Sequence, residues 1–510
     1  MAESNAHHVE HDEHYNGHNG HDSAAVISDA GQVLLEKIRS RQAIVGVIGL
    51  GYVGLPLALG FAEAGFRVVG IDVDGRKVDK LNAGESYIED VPAERLTRLM
   101  DPLRAVCGAA LLPIAATVGD DRRIQGNGAA LADAEERPAD ATPGSFCATT
   151  NYDVLLDVDA VVMCVPTPLN HTKEPDLSYI ISATDQVARR LHRGMLIVLE
   201  STTYPGTTEE LVLPRLQQPA ADGSRFAVGN DFFLGFSPER IDPGRKDWTV
   251  RNTPKVIAGV TPVCRQVIQA LYETAIERIV PVSLPRTAEM VKLLENTFRA
   301  VNIALMNEIA IMCDRLGIDV WEVIEAAKTK PYGYMAFYPG PGVGGHCIPL
   351  DPQYLAWKLR ALNYNARFIQ LAEEINLSMP HYVVTKTADA LNDIGKPLKG
   401  SHILVMGVAY KANIGDMRES PVLDVMHLLR QKGADVVYND PYVPTMRLGH
   451  EQMTSIPLDD AALQAADCVI IGTAHACYDW TWVAKNSHLI VDTRNALWDV
   501  HTNGTRVVKL

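Results

Sequence analysis

A lone cysteine stands at the end of a glycine-rich loop, Gly342-Val-Gly-Gly-His-Cys347-Ile-Pro-Leu-Asp351. Three glycines let the backbone approach a ligand closely, and Pro349 and Pro352 end the loop. Exposed N–H groups there would stabilise a thiolate, the nucleophile of covalent catalysis. The competing reading is a cysteine that fills apolar space. Asp351, four residues on, is placed to orient a neighbour or a water. His346 invites reading as a base, but adjacent loop residues often diverge, so that role stays open.

Lys292 and Asn296 are spaced i, i+4, on one face of a helix. They would donate hydrogen bonds to a developing oxyanion, each donor worth ~2.7–4 kcal/mol in rate. A snorkelling lysine and a surface asparagine fit the same spacing. A third constellation is Gly49-x-Gly51-x-x-Gly54, between a strand and a helix. Gly49 permits the tight turn, Gly51 lets a pyrophosphate reach the backbone, and Gly54 allows close helix–strand packing. The helix N-terminus adds free N–H groups and a positive dipole for phosphate. Asp72 follows Gly49 by 23 residues, at the end of the next strand. There it can accept both ribose hydroxyls, which favours NAD over NADP. Among the other cysteines, Cys164, Cys313 and Cys468 lie in apolar strands or a helix and read as packing.

The elements that must position these groups follow from apolar patterning. Ala43–Ile48, Ala160–Val165 and Met195–Leu199 are continuous apolar runs, as in strands buried on both faces. Arg67–Asp72 is a further strand, and Leu55–Ala64 is a helix ended by Gly65. Strand and helix alternate, as in a parallel, doubly wound sheet. Thr287–Leu316 has no Gly or Pro and a helical apolar spacing. At 1.5 Å rise it spans about 45 Å, enough to bridge two domains and to face a second subunit. From Leu398 a second α/β unit begins, with strands at His402–Met406, Ala434–Asp440, Cys468–Ile471 and Leu489–Asp492 and a helix at Pro421–Lys432. The cleft between the two units is the place for a ligand.

The chain has 510 residues, 47% hydrophobic and 21% charged, which excludes collagen-like, coiled-coil and wholly disordered classes. Its net charge of −15 argues against general nucleic-acid binding. The 8 cysteines include no C-x-x-C, so neither a structural zinc site nor a disulfide scaffold is expected, no metal is called for, and the thiols should be reduced. No apolar run is long enough for a membrane helix and no secretory signal is visible, so the expected location is cytoplasmic. Met1–His21 carries six histidines among polar residues and reads as a solvated tail. Met100–Ser145, without a clear period, reads as a partly disordered surface insertion.

Seven stretches, in order, resemble one family. They are Gly49-Leu-Gly-Tyr-Val-Gly-Leu-Pro56, Cys164-Val-Pro-Thr-Pro-Leu169, Glu200–Thr208, Phe236-Ser-Pro-Glu-Arg240, Lys292-Leu-Leu-Glu-Asn296, Pro339–Pro352 and Ala409–Pro421. From about Ile44 onward the chain resembles the UDP-sugar 6-dehydrogenases, the UDP-glucose and UDP-mannuronate dehydrogenase superfamily. Within them it looks most like the bacterial UDP-N-acetylglucosamine 6-dehydrogenases of polysaccharide synthesis. The fold implied is α/β, two Rossmann-like doubly wound domains joined by a long central helix. The expected division is a His-rich disordered tail over 1–40 and an NAD-binding domain over 41–285 with an insertion at about 100–145. A central helical and dimerisation domain over 286–385 and a UDP-binding domain over 386–510 complete it.

The resemblance implies two oxidations at C6, alcohol to aldehyde to acid, with two NAD reduced. Cys347 would form a thiohemiacetal and then a thioester that water hydrolyses. Lys292 and Asn296 match the pair that stabilises the oxyanions, and Asp351 matches a carboxylate that orders the lysine and water. Thr167 and Glu239 match residues near the reacting carbon, Glu239 being a candidate for water activation. The implied cofactor contacts are Gly49, Gly51, Tyr52, Val53, Gly54, Asp72, Thr167, Thr202 and Arg418. The implied substrate contacts are Glu239, Lys292, Asn296, Gly344, Gly345, Tyr410, Lys411 and Arg494, the last at the UDP end. The turn Gly407-Val-Ala-Tyr-Lys lacks the second and third glycines, so it should hold UDP rather than a second dinucleotide. A homodimer or higher homo-oligomer is expected, with no nucleic-acid or membrane partner. Pro243 stands where some relatives carry a second acid, so a role built on that acid does not transfer. The same chemistry on UDP-N-acetylmannosamine or UDP-glucose is the alternative substrate reading. A two-electron hydroxyacid-type dehydrogenase and a non-enzymatic nucleotide sensor are alternatives of another class.

Overall fold

The strand Ile44–Ile48 (β1) is buried along its whole length, as its unbroken apolar run requires. It lies at the centre of an eight-stranded sheet with β2 (Arg67–Ile71), β3 (Ser145–Thr149), β4 (Ala160–Met163), β5 (Leu196–Leu199), β6 (Phe233–Phe236), β7 (Lys255–Gly259) and β8 (Ile279–Pro281). The order is β3-β2-β1-β4-β5-β6-β7-β8. Every neighbouring pair is parallel except β6 and β7, which are antiparallel. Helices α1 (Asp29–Arg39), α2 (Gly54–Glu63), α3 (Gly75–Asn82), α4 (Ala93–Leu99), α5 (Ser178–Ala188), α6 (Leu213–Leu216) and α7 (Pro262–Tyr272) accompany it. Two separate apolar clusters, one around Leu57, Phe61 and Ile268 and one around Ile180, Val187 and Phe236, cover the two faces. This is a computed structural model describing residues 26–88, 91–100, 144–170, 174–219, 223, 225–241, 247–502 and 504–510.

Two expectations change here. The tail was expected to reach residue 40, but Asp29–Arg39 is helix. Ser28 accepts from the Gly31 N–H as its N-cap, and Leu34, Leu35 and Ile38 are buried, with the helix packed on α7. The histidines of the tail, most of the 100–145 insertion and Pro243 lie outside the described residues. The expected end of the insertion, at about 145, falls where Ser145 opens β3, the edge strand paired to β2. Cys147 on β3 is disulfide-bonded, against the expectation of reduced thiols throughout.

A 32-residue helix, α8 (Pro285–Leu316), leaves this domain and ends on Gly317 at φ +69°, a left-handed C-cap. Pro285 at its first turn extends it two residues before the helix read from the sequence. After α9 (Val320–Lys328) and α10 (Asp351–Arg360) comes α11 (Arg367–Asn392), which packs along α8 and contains Pro380. The second sheet holds β9 (His402–Met406), β10 (Asp435–Asn439), β13 (Cys468–Ile471), β14 (Leu489–Asp492) and β15 (Arg506–Lys509), all parallel, in the order β10-β9-β13-β14-β15. A hairpin of β11 (Thr445–Leu448) and β12 (Glu451–Thr454) and helices α12 (Pro421–Gln431), α13 (Asp460–Ala465) and α14 (Trp480–Asn486) complete it. The architecture is two Rossmann-like doubly wound domains joined by α8. Strand order reverses between β1 and β4 and between β9 and β13, and ligands bind beyond the carboxyl ends at such points.

Candidate active site

The three turn glycines do different work. Gly49 has φ +92°, and a Cβ there would sit 2.6 Å from the Cys164 carbonyl oxygen. A Cβ on Gly54 would sit 1.9 Å from the Gly49 carbonyl oxygen. Packing inside the chain therefore demands both. Around Gly51 nothing lies within 4 Å of an added Cβ, so the protein's own atoms give no reason for glycine there. A ligand pressed against the backbone at the α2 N-terminus does, and that fits the pyrophosphate of a dinucleotide. Asp72 is buried at the end of β2; its Oδ2 accepts from the Leu50 N–H at 2.9 Å and its Oδ1 from the Asp74 N–H at 3.0 Å. It locks the turn, and an ionised carboxylate keeps further acceptor positions for hydroxyls. Val53 caps α2 beside it.

One face of α8 carries Glu289, Lys292 and Asn296. Glu289 is fully buried and accepts from the Thr208 N–H at 2.9 Å and the Thr208 hydroxyl at 2.7 Å, which fixes α8 to the first domain. Asn296 Nδ2 donates to Asp351 Oδ2. Further along, Asn307 Oδ1 accepts from the Gly340 N–H at 2.9 Å, and its Nδ2 donates to Asn376 Oδ1 at 2.9 Å. Both ends of the cysteine loop are thus tied to α8. Its middle rests on the second domain: the Gly345 N–H donates to the Arg418 carbonyl at 3.1 Å, and a Cβ on Gly344 would lie 2.7 Å from Tyr410 Cβ. On the other side the Tyr354 hydroxyl donates to the Thr167 carbonyl, Trp357 packs on Tyr204, and Lys358 pairs with Glu210. The loop carrying Cys347 is held by all three parts of the chain.

A cleft of about 820 Å³ opens where these parts meet. It is lined by six of the expected site residues, Lys292, Asn296, Gly344, Gly345, Cys347 and Tyr410. Arg240, Ile241, Glu295, Phe298, Arg299 and Phe337 line it too, and sequence reasoning gave none of them a role. The volume suits a nucleotide-linked sugar. Asp351 sits behind Asn296, almost fully buried. Burial pushes its carboxyl up to about 6, against the opposing pull of the Lys292 charge and the Asn296 hydrogen bond. His346 lines the cleft as well; burial, with Arg418 and Lys292, holds its imidazole below the usual range.

The other expected residues lie around this cleft rather than in its lining. Thr167 and Thr202 are in the loops after β4 and β5, at the carboxyl edge beside the glycine turn. The Arg418 guanidinium lies 5.3 Å from the ring centre of Tyr52, bridging the second domain to the glycine turn, while pairing with Asp416 at 2.6 Å. Lys411 follows Tyr410 in the turn after β9. Arg494 Nε donates to the Gly472 carbonyl at 2.9 Å, and a Cβ on Gly340 would meet its Nη1 at 2.5 Å. Burial lowers that guanidinium to about 10. Glu239 has both oxygens engaged: Oε1 accepts from the Arg240 and Ile241 N–H groups at 2.8 and 2.7 Å, and Oε2 from Lys255 Nζ at 2.9 Å.

Lys255 also donates to Glu200 Oε2 at 3.0 Å, and the Tyr272 hydroxyl donates to the other Glu200 oxygen. Lys255 is 4% exposed and Glu200 2%. Sequence reasoning missed this cluster. Its one signal is a charge at the end of an apolar strand on each side, Glu200 after Leu196–Leu199 and Lys255 before Val256.

The second domain repeats the acid-and-turn arrangement with a different outcome. Asp440, just past β10, accepts from the Val408 N–H at 2.7 Å, as Asp72 does from Leu50. Here His475 Nε2 also lies 3.1 Å from Asp440, and both side chains are fully buried. That acid is closed to a ribose, consistent with a turn that holds no second dinucleotide.

A dinucleotide turn and a second nucleotide-type domain facing each other across a thiol define an NAD-dependent oxidoreductase of nucleotide-linked substrates. The NAD-binding domain of the UDP-glucose/GDP-mannose dehydrogenase family is matched over residues 43–105 and 135–276, its central domain over 286–378 and its UDP-binding domain over 404–499. The chain is 33% identical over 465 residues to the NDP-N-acetyl-D-galactosaminuronic acid dehydrogenase of Ralstonia nicotianae, covering 89% of this chain and 96% of that protein. It is also 33% identical over 457 residues to the UDP-N-acetyl-D-glucosamine 6-dehydrogenase of Pseudomonas aeruginosa, with the same coverage. The solved structure of a UDP-D-ManNAc dehydrogenase from Pyrococcus horikoshii superposes with a TM-score of 0.74 at 31% identity, covering 91% of this chain and 98% of that one. The chain belongs to the UDP-glucose/GDP-mannose dehydrogenase family. Among its described residues no helix is long and apolar enough to cross a membrane.

Proposed function

We propose that the protein oxidises C6 of UDP-N-acetylglucosamine to the carboxylate, in the cytoplasm, for a surface polysaccharide. The observation that carries this is Cys347 in the inter-domain cleft with Lys292 and Asn296, Asn296 in turn holding the buried Asp351. NAD supplies the hydride acceptor at each of two oxidations. The alcohol first loses a hydride and a proton to give the aldehyde. Cys347 Sγ adds to the aldehyde carbon to form a thiohemiacetal, whose oxygen takes hydrogen bonds from Lys292 and Asn296. Loss of the second hydride gives a thioester, and water releases the acid and the thiol. One sugar and one water therefore yield two NADH. Asp351, buried behind Asn296 and raised towards neutral pH, orders Lys292 and that water, so its protonation state governs the release of the acid. The Thr167 carbonyl is held by the Tyr354 hydroxyl, which supports the reading of Thr167 as a residue near the reacting carbon.

The acetamido sugar is supported by relatives named for N-acetylated sugars and by the apolar wall of Phe298 and Phe337, in edge contact at 5.7 Å. Initial rates on UDP-N-acetylglucosamine, UDP-N-acetylmannosamine and UDP-glucose, with NADH counted per sugar and the product weighed, test the reading. Turnover of another UDP-sugar alone overturns the substrate. One NADH per sugar points instead to two-electron hydroxyacid-type chemistry.

Asp351 makes a pH prediction. Its folded carboxyl titrates near 6 and its unfolded one near 3.8. A raised acid favours the fold while protonated and costs stability once ionised, so the penalty grows as pH rises from about 4 through 6. Asp351→Asn should therefore exceed the wild type in stability above pH 6, by at most ~3 kcal/mol, with the gap closing towards pH 4. The same variant should lose kcat by roughly two to four orders of magnitude. Wild-type kcat should fall below pH 6 with one proton. Thermal melts and rate profiles across pH check both; equal melting curves for the two proteins refute the assignment.

The protein acts as a homodimer in this reading. Leu294, Leu305, Met312 and Leu316 form an exposed apolar stripe along α8, at the eleven-, seven- and four-residue steps of one helix face. Light scattering should give twice the chain mass, and Leu305→Asp with Met312→Asp should give single chains. A wild-type monomer at micromolar concentration rules the interface out.

A further inference from the structure

We propose that Lys255 is a positioning residue for the active site: its ammonium, shared between Glu200 and Glu239, fixes the Glu239 carboxylate at the edge of the cleft that Lys292 lines. This rests on the reading above, in which Lys292 serves as a cationic donor. The antiparallel strand makes the arrangement possible. Glu200 and Glu239 follow β5 and β6, and because β7 runs the other way its first residue, Lys255, arrives at the same edge of the sheet. A parallel strand would have brought its last residue there.

The geometry leaves Glu239 little freedom. One oxygen takes Lys255 at 2.9 Å and the other takes two backbone N–H groups. Those N–H groups belong to Arg240 and Ile241, which line the cleft. Lys255 is itself held by Glu200, and its Nζ lies 5.7 Å from the centre of the Tyr272 ring. The groups that face Glu239 are Lys255 from β7, Glu200 from the end of β5, Lys292 from α8, Cys164 from the end of β4 and Tyr272 from α7. Only the two lysines among them bring positive charge. Burial pulls the Glu239 carboxyl up, and Lys255, the Ile241 N–H and Lys292 bring it below its ordinary range. Glu200 goes the other way: burial and Glu239 raise it more than Lys255 lowers it. Of the two carboxylates around one ammonium, Glu239, beside the cleft, is the one held below its ordinary range.

The test measures kcat and KM against pH for the full-length wild type, Lys255→Met, Lys255→Arg and the double variant Lys255→Met with Glu200→Gln. The double variant keeps the cluster's net charge and guards against a misfolded single variant. In both Met variants kcat near pH 7 should fall about tenfold while sugar KM and NAD Kd stay within about threefold. Their acid limb should steepen from one proton to two and move upward, and Lys255→Arg should restore the one-proton limb. A loss of kcat by the same factor at every pH, or no loss, overturns the proposal. Failure of the wild type to oxidise any UDP-sugar would sink the functional reading instead. In that event the carboxyl carbon of Glu239, labelled with carbon-13 and assigned with Glu239→Gln, still decides: its titration should move upward in the Met variants, and an unmoved titration overturns the proposal.

Discussion

Cys347→Ala should abolish carboxylate formation, lowering kcat for the acid by roughly four orders of magnitude, the scale of loss when an acting nucleophile is removed. The reason is positional. The loop bearing Cys347 is tied to α8 through Asn307 and Asn296, rests on Tyr410 and is braced by Tyr354. No other described cysteine lines the cleft, and Cys164 is buried with its thiol pushed well up by desolvation. The variant should still bind both ligands and still remove the first hydride, since that step needs no thiol. Quench-flow with wild type should trap a covalent sugar on Cys347, and none on the variant. Undiminished acid production by Cys347→Ala would end the covalent mechanism.

Gly51→Ala should weaken NAD binding by roughly a hundredfold, equivalent to about 2.7 kcal/mol, while leaving the melting temperature of the ligand-free protein unchanged. The combination follows from the empty surroundings of that position, where an added methyl meets no protein atom. Gly54→Ala gives the opposite pattern, since its methyl would strike the Gly49 carbonyl oxygen at 1.9 Å and the folded turn itself would fail. Calorimetric titration with NAD and a melting curve on each variant separate the two effects. A Gly51→Ala protein with wild-type NAD affinity would show that the pyrophosphate passes elsewhere.

Much of the architecture was legible because burial writes itself into composition. Strands β1, β4 and β5 are covered on both faces and read as unbroken apolar runs. Beyond these strands and β2, the first sheet was not legible: β8 is only partly buried, and β3 sits at the edge beside a stretch without period. Pro380 lies within α11 and disguised a 26-residue helix, since proline ordinarily ends one. At the site, the glycine turn and Cys347 announce themselves locally. The Glu200–Lys255–Glu239 cluster does not, because its members are joined only by the reversal of one strand. Asp351 was visible as a residue, but its shift towards neutral pH comes from burial behind α8, which no spacing encodes.

The Arg418–Tyr52 contact bears on how two cofactor molecules can take turns at one sugar. Arg418 reaches over the glycine turn from the second domain and rests on the Tyr52 ring, and its guanidinium is paired with its near neighbour Asp416. The cysteine loop, by contrast, is fastened on every side. On the proposed mechanism, exchange of the spent dinucleotide between the two oxidations would turn on the side chain of Arg418, while the loop that bears Cys347 stays fastened.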